Sequence, residues 1–465
     1  MPITLKEALQ SLVVADLKDL IRYVPEAEAV GRKDELIERI ADAMKGAKLQ
    51  SIWLKLDTLQ AAAVAEAVHH PQGEFSSQRF RAKYQGDPSF EVAGAGAGSN
   101  RYAHNKKSAL TLFIHYASNE RRYFVPSDLQ ASLLAFVPKP ANVRLDSSET
   151  LPTAEGLTER LTEREALQEV VVMLRTVEHT RITVSEKTAL PSGSTLKVLA
   201  DKLVAGDFYP VLEKADKWEQ TIGPIKAFAW PMLLQASGLA LRTGTRLGLS
   251  PTGVKALSAP PADVLRTLWR KWLKTTLFDE FSRVDAIKGQ SSTGRVMSAV
   301  PPRRAAIEEA LQACPIGRWV LLDDFSRFMR AADHVFVVTH DPWKLYLCER
   351  QYGNLGCGGS HGWNILQDRY IAAVLFEYAA TLGMVDVAYF DPAEGHDDFR
   401  EMWGADELRF LSRYDGLSSF RITALGAYIL GLDATYQPVA QPSNVAISEA
   451  TGSGLPLPTF EPLAV

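Results

Sequence analysis

The chain has 465 residues, 46% of them hydrophobic and 23% charged. These values are close to the globular average and exclude a mostly disordered or fibrous protein. No apolar run approaches the roughly 18 residues of a membrane span, and charges interrupt the first apolar positions, so we expect neither a membrane segment nor a signal peptide. Three cysteines are too few for a disulfide framework or a four-thiolate zinc site. We therefore expect the protein to be located in the reducing cytoplasm.

The net charge of -4 is distributed unevenly along the chain. Residues 76–125 hold eight Lys and Arg against three Asp and Glu, and residues 240–304 hold twelve against four. Residues 385–420 show the reverse, with nine acidic and three basic residues. A polyanionic partner would therefore have to meet the two basic segments rather than the protein as a whole.

The N-terminal segment predicts two short amphipathic helices, because apolar residues recur at helical spacing over 17–21 and again over 36–40. A loop containing Gly31 joins them. The phrase Gly-Arg-Lys-Asp-Glu-Leu-Ile-Glu-Arg-Ile that starts at Gly31 resembles the SAP motif, a helix-extended-helix module of DNA-associated proteins. The resemblance implies that Arg32 and Lys33 face phosphates. The alternative is a helical hairpin that docks on the next domain.

A second pattern of helix, helix and β-hairpin recurs along the rest of the chain. It describes a winged-helix module, in which one helix can enter a major groove while the β-wing touches the DNA backbone. The predicted fold class is therefore mainly α with small β-wings (α+β). The predicted helices are 52–68, 76–84 with Ser76 as N-cap, 163–179, 191–203, 222–238 and 370–382, and the predicted strands and hairpins are 181–184, 239–249 turning at Gly244, 384–390 and 419–423.

Composition divides the chain into six segments. Stretches rich in Gly and Ala or in Pro and Ser mark the boundaries between them. They are a SAP-like motif (1–48), a winged-helix-like domain with a Gly/Ala-rich insertion (49–140), a linker (141–160), one or more winged-helix domains with a basic helix (161–300), a C-terminal winged-helix domain (301–436) and a flexible tail (437–465).

Three phrases between residues 50 and 436 resemble, in their order, the helicase-associated region of bacterial XPB-type helicases. They are 124–129 leading to 136–138, the helix-wing segment 239–257, and 378–385 followed by 420–426. The resemblance implies a DNA-engaging accessory protein that works beside an ATP-driven motor in bacterial defence or repair. The dipeptide Gly-Lys of a phosphate-binding loop occurs nowhere in the chain, so ATP hydrolysis would belong to a partner.

One hydrolase motif is present but lacks its context. Gly358–Gly362 matches G-x-S-x-G, with Ser360 as the nucleophile and His396 and Asp391 as conceivable partners. The predicted strand 345–348 does not lead directly into the turn, as a nucleophile elbow requires. We therefore predict no catalytic residue.

Two further features allow a structural and a functional interpretation. Cys348, Cys357 and His361 are close enough in sequence for zinc but lack a fourth ligand, so we predict no metal and no cofactor. Trp269 and Trp272 lie on a basic helix, where they either stack on single-stranded nucleic acid or pack in the core. We expect core packing.

The leading hypothesis is a non-catalytic, sequence-tolerant protein that binds duplex DNA through its phosphates, is nucleoid-associated and acts with a helicase or nuclease. The alternative is a scaffold whose winged helices dock a partner enzyme without DNA contact, with the acidic segment 385–420 turned toward that partner. The predicted DNA contacts are Arg32, Lys33, Arg79, Arg81, Lys83, Lys197, Lys202, Arg242, Arg246, Arg303 and Arg304.

Overall fold

Helices and small antiparallel sheets make up the described part of the chain, which confirms the α+β class. The structure is a computed structural model. Among the described residues, none of the helices combines the length and the hydrophobicity of a membrane span. The described residues are 3–92, 106–210, 220–290, 296–347, 353–357, 362–406 and 408–438.

The N-terminal helices include the two that the sequence predicts. Gly31 lies in the loop between α2 and α3 with φ +137°, a backbone conformation that favours glycine. The apolar faces of these helices share one hydrophobic cluster with residues as far along as Val137. The hairpin therefore packs on the unit that follows it, as the docking alternative predicts. The helices are α1 Leu5–Gln10, α2 Val14–Leu20, α3 Lys33–Ala43 and α4 Gly46–Trp53.

Three later segments share one order of elements: helix, strand, helix, helix, strand, strand and a closing helix. In each segment the third strand pairs antiparallel with both the first and the second, so the sheet order is first, third, second. We call these segments the first unit (58–133), the second unit (163–256) and the third unit (300–430). The shared order of elements and of strands identifies these segments as an internal structural repeat, although their lengths differ.

The bounds of the three units are as follows. The first unit contains α5 Thr58–His69, β1 Glu74–Phe75, α6 Ser77–Tyr84, a 3-10 helix Ala109–Leu112, β4 His115–Ala117, β5 Arg122–Phe124 and α7 Ser127–Leu133, with the hairpin β2 Glu91–Val92 and β3 Lys106–Lys107 inserted after α6. The second contains α8 Glu163–His179, β7 Ile182–Thr183, α9 Gly193–Ala200, α10 Lys226–Ser237, β8 Ala240–Thr243, β9 Arg246–Leu249 and α11 Pro251–Ala256. The third contains α13 Val300–Gln312, β10 Trp319–Leu321, α14 Leu322–Ala331, a helix of three parts (a π-turn Trp363–Asp368, α15 Arg369–Ala373 and a π-turn Val374–Ala379), β11 Val385–Tyr389, β12 Leu417–Ile422 and α16 Ala424–Leu430.

Side-chain N-caps explain where two of the helices start. One of them also explains why a helix prediction from the sequence is wrong. Ser76 caps α6 by accepting the backbone N–H of Arg79, as predicted. The single predicted helix 52–68 is instead two helices, because the Asp57 side chain accepts the N–H of Gln60 and begins α5 afresh. The main part of the predicted Gly/Ala-rich insertion and the tail from residue 439 lie outside the described residues.

The predicted linker 141–160 is also partly wrong. Its end forms the strand β6 Thr158–Arg160, which pairs with β11. Nearer the N-terminus, the backbone N–H of Ser148 donates to the carbonyl of Trp319 in β10 at 2.8 Å, and the N–H of Trp319 donates to the carbonyl of Ser148 at 2.7 Å. We call residues 146–160 the strap, since they border both edges of the third unit's sheet. The strap therefore satisfies some of the backbone N–H and C=O groups that β10 and β11 would otherwise expose at the sheet edges.

Most buried apolar side chains form two clusters. One runs from Leu5 to Val137 and the other from Ala166 to Leu430, so the second and third units share a single core. The helix α12 Pro261–Trp272 connects the second and third units, because it packs against α8 and α10 of the second and α16 of the third. The predicted domain boundary at residue 300 therefore separates two segments that contribute to the same core.

The shared core contains a buried ion pair. Arg304 donates to Glu280 at 2.5 Å, and neither side chain is exposed. Tyr370 donates to the second carboxylate oxygen of Glu280 at 2.8 Å, and the guanidinium lies 4.4 Å from the Trp272 ring centre. Buried charges persist in this way only when each is paired and hydrogen-bonded.

We expect Arg304→Met to destabilise the protein by about 3–5 kcal/mol, because it leaves the Glu280 carboxylate buried without its counterion. The double variant Arg304→Met/Glu280→Gln removes both charges and should recover a large part of that loss. The midpoint of guanidinium unfolding, followed by tryptophan fluorescence, measures both. Equal destabilisation by the single and double variants would contradict this account.

Candidate nucleic-acid interface

Two of the predicted DNA contacts are wrong, because Arg303 and Arg304 are core residues. Their side chains are 1% and 0% exposed. Arg303 pairs with Asp279 at 2.8 Å and also donates to the carbonyl of Val338. The basic segment 240–304 therefore presents less charge to solvent than its composition suggests.

Ion pairs also neutralise the basic helix α6. Lys83 is 13% exposed and pairs with Glu66 at 2.6 Å. Arg81 is exposed but bonds Asp87 through two of its nitrogens, at 3.0 and 2.5 Å. Arg79 is 18% exposed, and its nearest carboxylate is Asp333 at 3.9 Å. Of the three predicted contacts on α6, only Arg79 lacks a close counterion.

The two residues taken from the SAP resemblance lie at the start of α3. Arg32 is exposed, and its backbone N–H donates to Glu35 at 3.2 Å. The Lys33 ammonium donates to the carbonyl of Gln10 at 2.6 Å and so points back along the N-terminal helices. Arg32 remains available to a phosphate, whereas Lys33 would first have to leave its carbonyl partner.

The other four predicted contacts all belong to the second unit, and all are exposed. Arg242 and Arg246 belong to the β8–β9 hairpin, and Lys197 and Lys202 to α9 and its end. Arg242 donates only to a backbone carbonyl, that of Ser185, at 3.0 Å. No described carboxylate forms an ion pair with any of the four.

The hairpin is held against the loop that follows β7. Val184 donates to the carbonyl of Thr245 at 2.8 Å, and Thr183 faces Arg246 in the sheet register. Gly244 occupies the turn with φ +57°. These bonds bring the loop residue Lys187 to the same end of the sheet as Arg242.

Five more exposed cations on the second unit were missed by the sequence analysis. Arg164 and Arg175 are eleven residues apart on α8, a spacing that returns to the same face of a helix. This spacing is visible in the sequence, but it does not show by itself which cations are exposed. The exposed cations, which we call the second-unit basic surface, are Arg164, Arg175, Arg181, Lys187, Lys197, Lys202, Arg242, Arg246 and Lys255, and the exposed acidic residues of the same described segment are Glu178, Glu186 and Asp201.

The helix that precedes the hairpin in each unit, which is the third helix of the unit, is buried and presents no exposed face to a major groove. Residues 226–234 of α10 are all buried, with Trp230 at 0% exposure. The short helix 109–112 and the segment 369–379 are buried as well. Contact with DNA would therefore come from hairpins and helix ends.

Trp269 and Trp272 are core residues, which confirms that part of the sequence analysis. Both are fully buried. Trp269 donates to Glu308 at 3.0 Å, and the Trp272 ring stacks on Tyr378 at 4.8 Å. Neither ring is free to stack on a base.

The acidic segment 385–420 is partly turned inward. Asp398 and Asp415 lie 2.6 and 3.3 Å from the Arg369 guanidinium, and Asp386 pairs with Arg421 at 2.7 Å. Of the acidic residues that remain, Asp391, Glu394, Asp397, Glu401 and Asp406 are exposed.

Two sites that the sequence analysis set aside gain no support. Ser360, His361 and Cys348 lie outside the described residues. Among the described residues, no group of three or more His, Cys, Asp and Glu side chains has an arrangement that could hold a metal ion.

A buried carboxyl group lies between the second and third helices of the third unit. Asp368 accepts a hydrogen bond from Ser326, whose hydroxyl oxygen in turn accepts one of 2.9 Å from the Trp363 indole. Burial raises the pKa of Asp368 to about 6, although Ser326 and Arg330 act in the opposite direction. The ionised form is therefore disfavoured in the folded protein.

Because this pKa is raised from 3.8, the stability that Asp368 contributes is present below pH 4 and lost as the pH rises through 6. A shift of this size corresponds to about 3 kcal/mol. In Asp368→Asn that loss is absent, so the unfolding free energy of the variant relative to wild type should rise by roughly that amount between pH 4 and 7. Chemical denaturation across this range measures it, with the exposed Asp333→Asn as control; a difference independent of pH would contradict it.

No protein-family model, curated protein or solved structure is significantly similar to this chain. The resemblances to the SAP motif and to helicase-associated regions therefore remain predictions from the quoted phrases. What the chain does has to be argued from the residues placed above.

Proposed function

We propose that this protein is a non-catalytic DNA-binding accessory protein that contacts the duplex backbone through the second-unit basic surface. The observation that carries the proposal is the charge balance of this unit. The described part of this unit has nine exposed cations and only three exposed carboxylates. Lys and Arg that are not neutralised by the protein can replace the counterions of DNA phosphates, which is the main source of sequence-tolerant affinity.

The element order supports a winged-helix interpretation of the three units. Helix, strand, helix, helix and hairpin, with strand order first, third, second, is the arrangement of that module. In the second unit the β8–β9 hairpin would be the wing, and it carries Arg242 and Arg246. Because α10 is buried, the wing would contact phosphates while no helix reads bases, which favours binding without sequence preference.

Motor or nuclease activity would belong to a partner protein, as the helicase-associated resemblance implies. On this proposal, the role of the protein is to position DNA for that partner. A nucleoid-associated location in the cytoplasm is part of the same proposal.

The scaffold alternative has its own support in the burial of the third helices. These helices and α6 pack against other parts of the chain, α6 against α14 in particular. Winged-helix units that are used for internal packing serve protein contacts as readily as DNA contacts. On this alternative, the exposed carboxylates of 391–406 would meet the partner.

We expect Lys197→Glu/Lys202→Glu/Arg246→Glu to weaken duplex binding and to flatten its salt dependence. Each lost phosphate contact lowers the slope of log affinity against log salt by about 0.9, so the slope should fall by roughly 2–3. Gel-shift titrations with single-stranded, double-stranded and forked DNA at several salt concentrations measure this.

The matched control reverses three exposed cations that are already ion-paired. Its substitutions are Lys6→Glu, Lys45→Glu and Arg81→Glu, whose partners are Glu38 at 2.7 Å, Asp42 at 2.9 Å and Asp87 at 2.5 Å. Both triple variants change the net charge equally, so equal loss of binding would contradict the localisation to the second unit. A wild-type protein that binds none of the three DNA forms at low salt would reject DNA binding and favour the scaffold.

A further inference from the structure

A cleft of about 710 Å³ lies between the first and third units, away from the second-unit basic surface. One wall is the start of α6, with Ser76, Gln78 and Arg79. The opposite wall comes from the end of α14 and from the π-turn 363–368. The volume lies within the range of about 300–1,000 Å³ that is usual for small-molecule sites.

Two guanidinium groups give the cleft a positive character. Arg79 has no carboxylate closer than Asp333 at 3.9 Å, and 64% of the Asp333 side chain is exposed to solvent. Arg330 has no described carboxylate within 4 Å, although its charge acts on the buried Asp368, and its guanidinium lies over the Trp363 ring, 5.8 Å from the ring centre. Its Nε is buried without a hydrogen-bond partner. Asp333 is the one acidic residue among those that line the cleft. An anion can therefore enter without displacing a strong internal ion pair.

The third-unit wall is apolar and aromatic. The Phe336 and Trp363 rings are half-buried, with their centres 5.7 Å apart. Beside them, Val335 and Val337 are 52% and 51% exposed. The planes of the two rings are inclined by 52°, so a planar ring could lie against one of them and meet the edge of the other. Such a ring loses water contact on both the ligand and the protein side when it binds.

A hydrogen-bond acceptor completes this wall. Gln367 donates through its amide nitrogen to the carbonyl of Phe336 at 3.2 Å, while its Oε1 is buried without a partner. A buried polar atom without a partner destabilises the folded protein, so a ligand that donates a hydrogen bond to it would recover that loss. Gln367 belongs to the π-helical segment Trp363–Asp368. Such segments are rare in proteins, and many of those known lie at functional sites.

We propose that this cleft is a nucleotide site. The base lies against Phe336 and Trp363, and the phosphate lies between Arg79 and Arg330. Guanidinium groups bind phosphate oxygens in a bidentate manner, which a single lysine cannot do. An acidic peptide would use the two arginines but would leave the aromatic wall and the Gln367 acceptor without a role. The nucleotide is either free or the phosphorylated end of a strand, since both present the same chemistry.

The experiment is isothermal titration calorimetry of the full chain with AMP, adenosine, inorganic phosphate and a 5′-phosphorylated thymidine oligonucleotide. We expect AMP to bind more tightly than phosphate or adenosine, because only AMP uses both walls. Binding of the oligonucleotide through its 5′-phosphate would identify a strand end as the source, and binding of AMP alone would identify a free nucleotide. A six-residue polyglutamate peptide tests the acidic-peptide alternative.

Two substitutions on α6 form a matched pair. Arg79→Gln should weaken AMP binding roughly tenfold or more, because it removes one of the two phosphate partners. Arg81→Gln, on the same helix and bonded to Asp87, should leave it unchanged. Phe336→Ala should reduce binding of AMP but not of phosphate, which separates the base wall from the anion site.

Four results would overturn the proposal. They are the absence of AMP binding, equal affinity for AMP and phosphate, an equal effect of the two arginine substitutions, and binding of polyglutamate in place of AMP. Because the second-unit basic surface is not part of the cleft, the triple charge reversal Lys197→Glu/Lys202→Glu/Arg246→Glu should leave AMP binding intact. The two proposals can therefore fail independently.

Discussion

The burial of the third helix in each unit is the constraint on which the rest of the structure depends. Most of helix α10 is buried in the core that the second and third units share. The segment 369–379 of the third unit is buried in the same core. An apolar helix of this kind cannot remain in water without a large loss of hydrophobic free energy. The second and third units are therefore joined by one core, and the surfaces left to solvent are hairpins, helix ends, the polar faces of outer helices and the clefts between elements.

Much of the secondary structure could be predicted, because its signals are local. Ser76 as a cap, Gly244 in a hairpin turn and the apolar spacing of α2 and α3 each depend on a few neighbouring residues. The strap could not be predicted, since β6 pairs with β11 across more than 200 residues of sequence. Composition around Pro138 and Pro140 indicates a linker, and nothing local shows that this linker has a sheet to border.

The candidate site was predictable only in part, because exposure and ion pairing are properties of the fold. Lys197 and Arg304 look equivalent as basic residues in the sequence, yet Lys197 is exposed and Arg304 is enclosed by Glu280, Trp272 and Tyr370. On α6, the partners of Lys83 and Arg81 are Glu66 and Asp87, in one case from a different helix. Counting charges along a sequence finds basic segments but cannot subtract those that the protein neutralises itself.

The strap also has a consequence for how the chain is made. It leaves the ribosome well before Trp319 and β11, the segments that it pairs with, have been synthesised. Its backbone groups must therefore stay hydrated, or be held by a chaperone, through translation of the whole second unit. Fragments that stop before the third unit would therefore expose a strand without its partner.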